Sequence, residues 1–175
     1  MKTTALLPLF AALQSPRCTA TLSAIHRLNV SVTAAENGQS VIQCWQLTPP
    51  PSLVTIGDAT FQSQTLGDLQ SGSLNVFPPG LNLGLHAAPT KQWVIVLAGS
   101  IKVYLQNNQS VANTAFISSC TSGILLAVDT KDVSAVGHIT ETIEQTAMLF
   151  MPTANGTVPE HRVLHNNVCA GEDLF

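Results

Sequence analysis

At 175 residues the chain is long enough for one domain with a sizeable buried core. It is 45% hydrophobic and only 10% charged, which excludes a disordered or solvating polypeptide. A net charge of -3, with seven basic residues that do not cluster, leaves no electrostatic footprint for nucleic acid or an anionic membrane surface.

In chain order, Lys2, the apolar run 5–13 and the small residues around Cys18-Thr19-Ala20 have the layout of a secretory signal over residues 1–20. The alternative for this stretch is a loose N-terminal arm. Residues 21–175 then form a single domain. No other apolar stretch approaches the roughly 20 residues that cross a bilayer as a helix. The chain is expected to be secreted or to enter the secretory pathway, with a cytoplasmic location as the alternative. His26 precedes the first strand and is expected to be exposed.

From residue 27 the chain is a series of short apolar, β-branched runs at 30–32, 41–47, 74–77, 93–97, 101–105, 124–128 and 147–151. Turn signals separate them, among them Pro49-Pro50-Pro51, Pro78-Pro79-Gly80, Asn107-Asn108 and Ser122-Gly123. This pattern predicts an all-β sandwich or barrel and not βαβ units. Runs 93–97 and 101–105 flank Ala98-Gly99-Ser100 and read as a β-hairpin with Gly99 in its turn. The first of these runs is apolar throughout and is expected to be buried on both faces; the second alternates.

Three sequons, at Asn29, Asn108 and Asn155, would carry glycans in a secreted chain. With Cys18 in or beside the leader, Cys44, Cys120 and Cys169 allow one disulfide and one free thiol. A Cys44–Cys169 bridge would tie the C-terminal tail to an early strand and close a long loop. Three reduced thiols in a cytosolic protein is the other reading.

Gly80, His86, Ala88, Gln92 and Gly99 reproduce the spacing of the first cupin motif, Gly-x5-His-x-His-x3-Glu-x6-Gly. Ala88 stands where that motif places its second His, and Gln92 where it places Glu. The second motif is matched more loosely: Gly123 opens the run to Asp129, His138 follows after a longer segment than the motif has, and Thr142 takes the place of its Asn. The resemblance covers about residues 40–152 and implies a single cupin domain, a double-stranded β-helix closed as a jelly-roll barrel. Val-Ile-Gln-Cys-Trp-Gln-Leu at 41–47, Gly84-Leu85-His86-Ala87-Ala88-Pro89, Gln92-Trp93-Val94 and Asp132-Val133-Ser134 leading to Gly137-His138 look like small fungal cupin-domain proteins. Similar proteins occur in fungal polyketide clusters, including those making salicylaldehyde-type aromatics, where they are described as oxidoreductases. The resemblance also admits a homodimer formed through an edge strand or a swapped arm.

A full cupin metal site has three imidazoles and a carboxylate, a donor set suited to Fe, Mn, Ni, Cu or Zn. Carried onto this chain, the residues that remain for a divalent metal are His86, His138 and Gln92. Without metal, the same three are the catalytic candidates: two pocket imidazoles dividing acid and base work in a dehydration or isomerisation, and Gln92 orienting the substrate. Each His also has a reading as a hydrogen-bonded interior residue.

His161 and His165, four apart beside Glu160, are expected on one face of a surface tail. Trp93 falls on the strand face opposite Gln92 and reads as core. Trp45 and Tyr104 carry polar handles without a spacing that singles them out. The absence of a Gly-rich phosphate loop or nucleotide fingerprint excludes nicotinamide- and ATP-dependent chemistry as far as motifs reach. Two functions follow: an enzyme of fungal secondary metabolism acting on a polyketide or aromatic intermediate in the barrel pocket, or a secreted, glycosylated small-molecule-binding protein without catalysis.

Overall fold

The alternation of β-branched runs with glycine and proline turns folds as thirteen strands. In the computed structural model these lie within the described residues, 27–170 and 173. The expected leader over 1–20, with Cys18, and the expectation for His26 fall outside the described residues. The larger sheet runs in the order β13 (His161–Asn166), β2 (Gln39–Leu47), β1 (Asn29–Glu36), β10 (Ile124–Ala127), β7 (Gln92–Ala98), β12 (Thr146–Pro152) and β5 (Ser73–Phe77). The smaller sheet runs β6 (Asn82–His86), β11 (His138–Thr142), β8 (Ser100–Tyr104) and β9 (Thr114–Ser118). A separate hairpin, β3 (Ser52–Ile56) and β4 (Ala59–Ser63), pairs only with itself among the described residues. The protein is all-β, and neither large sheet closes on itself.

All seven apolar runs read from the sequence fall in strands. Apolar alternation puts one face of each large sheet against the other. Val94, Val96, Leu125 and Met148 of the larger sheet pack on Ile101, Val103, Ala115 and Ile117 of the smaller. The outer face of the larger sheet carries a second cluster around Val30, Val32, Trp45, Trp93 and Leu126. Trp93 is fully buried there, and its indole N–H donates to the Leu66 carbonyl at 2.9 Å. β7 therefore has core on both faces, as its unbroken apolar sequence predicts.

The expected hairpin of 93–97 with 101–105 does not form. β7 pairs with β10 and β12, whereas β8 pairs with β11 and β9. A strand apolar on both faces belongs in the middle of a covered sheet, and an alternating strand beside it in sequence fits the opposing sheet. Gly99 turns the corner between them at φ +79°, where a Cβ would lie 2.4 Å from the Gln145 carbonyl oxygen. Its role is a close crossing between sheets rather than a two-stranded turn.

Cys44 of β2 and Cys169 of the tail are joined by a disulfide spanning 125 residues of sequence. Cys120 is disulfide-bonded as well, and the free thiol expected from the sequence is not found: no described cysteine is free. The expected surface tail around His161 and His165 is instead β13, an edge strand paired with β2. A bulge between Val163 and His165 sets His161 opposite Leu47 and His165 opposite Cys44, on different faces of the strand. His161 stacks on Trp45 with ring centres 3.6 Å apart, and the Trp45 indole N–H donates to Gln43 Oε1 at 2.8 Å. Tyr104, on the outer face of the smaller sheet, donates its hydroxyl to Glu141 at 2.7 Å, and that bond raises the phenol's pKa.

Candidate active site between the two sheets

Strand register assembles the site. β6 and β11 are antiparallel with His86 opposite His138, and both residues fall on the inner face of the smaller sheet. Their ring centres are 4.7 Å apart at 55°. Gln92, at the start of β7, is buried and lines the same enclosed cavity from the facing sheet. All three candidates read from the sequence are thus brought to one place.

The close approach of β6 and β11 depends on Gly137. Its φ is +92°, and a Cβ there would fall 2.3 Å from the carbonyl carbon and oxygen of His86. Only glycine fits this backbone shape and this spacing.

Asp129 completes the site, and sequence reasoning missed it as a functional residue. It ends the run Ile124-Leu125-Leu126-Ala127-Val128 and is wholly buried. Its carboxylate accepts from Thr33 Oγ1 at 2.9 Å, Ser40 Oγ at 2.8 Å and His138 Nδ1 at 2.8 Å. Because Ser40 spends its proton on Asp129, Ser134 Oγ donates to Ser40 at 2.7 Å. Ser134 in turn accepts from the backbone N–H groups of Val136 and Gly137. The chain of donors runs from the 134–137 turn through two serines to Asp129. The signal in the sequence was an acid at the end of an apolar strand, where burial demands partners.

These bonds fix the imidazole tautomers. His138 Nδ1 faces a carboxylate oxygen, and His86 Nδ1 faces the Gly84 carbonyl at 2.9 Å. Both oxygens only accept, so each Nδ1 carries a proton, and the neutral form of each ring has its lone pair on Nε2. The two imidazoles line a cavity whose walls include Val94, Ile101, Leu125, Met148 and Phe150 and, as polar groups, Gln92 and Thr140.

That cavity measures about 40 Å³, room for ordered water or one small substituent. An aromatic ring is larger than that space. Outside lies an open cleft lined by 85–91, 130–132, 134–136 and 155–156. His86, Ala88 and Pro89 belong to both spaces. His86 therefore stands in the wall between a cleft that can seat a ring and a cavity that can receive one reacting group, with His138 on the cavity side.

The donor set does not fit a tightly held divalent ion. The cavity offers two imidazole nitrogens and the Gln92 amide, with no carboxylate or thiolate in its lining. Asp129 is fully engaged behind His138. Among the described residues the one group with metal-ligand spacing is Cys44, His165 and Asp173, whose ligand atoms lie within 4.8 Å. The Cys44 sulfur there is committed to the disulfide.

Of the three sequons, Asn108 and Asn155 are exposed. Asn29 is buried, and its side-chain amide donates to the Asp173 carbonyl while its oxygen accepts from Gln46. Unlike the other two, Asn29 has its Nδ2 occupied inside the fold. No helix among the described residues is long and apolar enough to cross a membrane.

No family model, curated protein or solved structure matches this chain.

Proposed function

We propose that this protein is a divergent cupin-type enzyme that moves a proton on an oxygenated aromatic or polyketide-derived precursor at the His86–His138 pair. The observation that carries this reading is that two imidazoles line one cavity, each with its Nδ1 on an acceptor, so that Nε2 of the neutral ring is the nitrogen available as a base. His138 Nε2 takes a proton from an acidic C–H of a group inserted from the cleft. Asp129 stabilises the imidazolium that forms, because the Nδ1–H bond becomes charge-assisted. The electron pair left on carbon delocalises onto the adjacent carbonyl oxygen. His86, half-buried at the wall, exchanges protons with solvent and returns one to the substrate. A dehydration follows the same course when the protonated group is a departing hydroxyl. The polyketide class of substrate and a double-stranded β-helix as the ancestral fold rest on the motif resemblance around His86 and Gly99. Pairing of two copies belongs to the same reading: β5 ends the larger sheet with Leu74 and Val76 exposed.

The test is deuterium incorporation. The protein, treated with chelator, is incubated in D2O with a panel of hydroxylated aryl ketones and cyclohexenones, and the products are followed by mass spectrometry. Exchange above the buffer rate, lowered at least 100-fold in His138→Gln, supports the proposal, since a positioned base contributes roughly 10²–10⁴-fold. Exchange no faster than buffer across the panel overturns it.

A second reading has its own observation. The cavity is lined mainly by apolar side chains, and the disulfide together with exposed Asn108 and Asn155 suits an extracellular protein. A secreted binding protein would use the cleft without needing either Nε2.

A further inference from the structure

The described residues hold five Lys and Arg side chains. Three are engaged: Arg27 and Arg162 both donate to Gln46 Oε1, and Lys102 lies 3.9 Å from Glu141 and over the Tyr104 ring. The other two side chains, Lys91 and Lys131, make no hydrogen bond or close ion pair among the described residues, Lys91 having only a longer-range attraction to Asp132, and both line the cleft that His86 walls. Asp132 is the single acid in that lining, so the cleft keeps an excess of positive charge in a chain whose net charge is negative. Leu85, Pro89 and Val136 supply an apolar surface beside the two ammonium groups.

We infer that the cleft binds an aromatic carboxylate, its ring on Leu85, Pro89 and Val136 and its anionic group held by Lys91 and Lys131. The inference deepens the proposed function by naming the charged handle of the ligand, and it rests on that reading for the role of His86. The physical argument is one of economy. A lysine without a close partner on open surface is ordinary, but both such lysines line one concavity with partly apolar walls, where charge–charge attraction is less screened than on a convex face. A neutral ring would gain the apolar contact alone. A carboxylate adds two attractive partners and places the ring edge at the histidine wall.

Benzoate and benzamide are the probes, titrated into the ¹³C,¹⁵N-labelled full-length protein by NMR at low and at 0.5 M salt. The expected result is saturable shifts at His86, Leu85 and Val136 with benzoate. Benzoate should bind at least about 10-fold more tightly than benzamide and weaken at high salt. Lys91→Gln and Lys131→Gln, surface changes that leave the fold intact, should each weaken benzoate about 3- to 10-fold. Equal affinity for benzamide, unchanged affinity in both variants, or no saturable shift overturns the inference. Failure of the enzymatic reading is separate: benzoate binding retained in a protein without D2O exchange sinks the catalysis and leaves the anion site standing.

Discussion

His138 and Asp129 are joined by a 2.8 Å hydrogen bond with both side chains buried, and Asp129 takes two further bonds from Thr33 and Ser40. Asp129 therefore ties β1 and β2 to β11 and holds the His138 ring in one tautomer. Asp129→Asn keeps one acceptor oxygen and puts an NH2 in place of the other, so the NH2 faces either Thr33 or the pair Ser40 and His138, and at least one donor loses its acceptor. The expected cost is about 2–4 kcal/mol of stability. D2O exchange should fall by at least about 10-fold in the protein that remains folded. Denaturant unfolding and the exchange assay measure the two losses separately. Asp129→Asn with unchanged stability would contradict the hydrogen-bond network.

Gly137→Ala puts a methyl carbon where His86 backbone atoms lie 2.3 Å away, at φ +92°. Backbone strain and forced separation of β6 from β11 together should cost about 2–4 kcal/mol. Because His86 sits opposite His138 in this register, their ring contact should be lost with it, visible as altered imidazole ¹⁵N shifts at both residues. Gly38→Ala is the control: its φ is also positive, but a Cβ there meets nothing within 4 Å. It should be strained locally and leave the imidazole signals in place.

Seven of the thirteen strands and the positions of Trp93, His86, Gln92 and His138 were legible because burial leaves a period in the sequence and the motif glycines mark two tight places. Sheet partnership was not. The short break at Gly99 reads the same for a hairpin as for a corner between sheets, and only the tertiary demand of a two-faced strand decides between them. β13 was missed because an edge strand with one bulge has no clean alternation, and β3 and β4 because their exposed residues carry no amphipathic pattern. Asp129 escaped because a single acid after an apolar run announces nothing until its donors, from Thr33, Ser40 and His138, are brought together from distant parts of the chain. The motif spacing singled out two histidines that the strand register sets opposite one another, while Ala88 and Gln92 stand where that motif places two ligands.

The Cys44–Cys169 bridge closes a loop of 125 residues of separation. In the chain-entropy description, a constraint on that scale stabilises by about 4–5 kcal/mol, with measured losses commonly 2–5 kcal/mol. A double variant, Cys44→Ala with Cys169→Ala, should lower the guanidinium midpoint accordingly while leaving Cys120 bonded. The double change avoids a stray thiol. A midpoint within error of the parent would show that the tail contributes little to the fold.

Glycan occupancy separates the three sequons. Expressed through a eukaryotic secretory pathway, the chain should be modified at Asn108 and Asn155, which are exposed, and not at Asn29, whose amide is bonded inside the fold. Intact mass before and after endoglycosidase, with peptide mapping, reads this directly. A glycan at Asn29 would mean that modification precedes burial of β1 and that the folded arrangement around Asp173 is different.

The pair His165–Asp173, at 3.1 Å on the edge strand, gives the tail a pH signature. The backbone carbonyl of Asn166 raises His165 above its ordinary 6.5, with Asp173 adding to the effect against partial burial. Asp173 is held below 3.8, first by the backbone N–H of Ala170 and then by His165. A raised histidine stabilises fully below its unfolded value and loses that contribution as pH rises through the folded one. A lowered aspartate stabilises above its unfolded value and loses its contribution as pH falls through the folded one. Both contributions are present together between 3.8 and 6.5, and the histidine's part is lost above that window. With side chains 41% and 30% exposed, solvent screening limits the effect to a few tenths of a kcal/mol, roughly the range of an exposed ion pair. His165→Gln should therefore lower the melting temperature slightly at a pH of about 5.5 and leave it unchanged at about 9, where the imidazole is neutral in both states. An equal loss at both values would assign His165 a packing role instead of an electrostatic one.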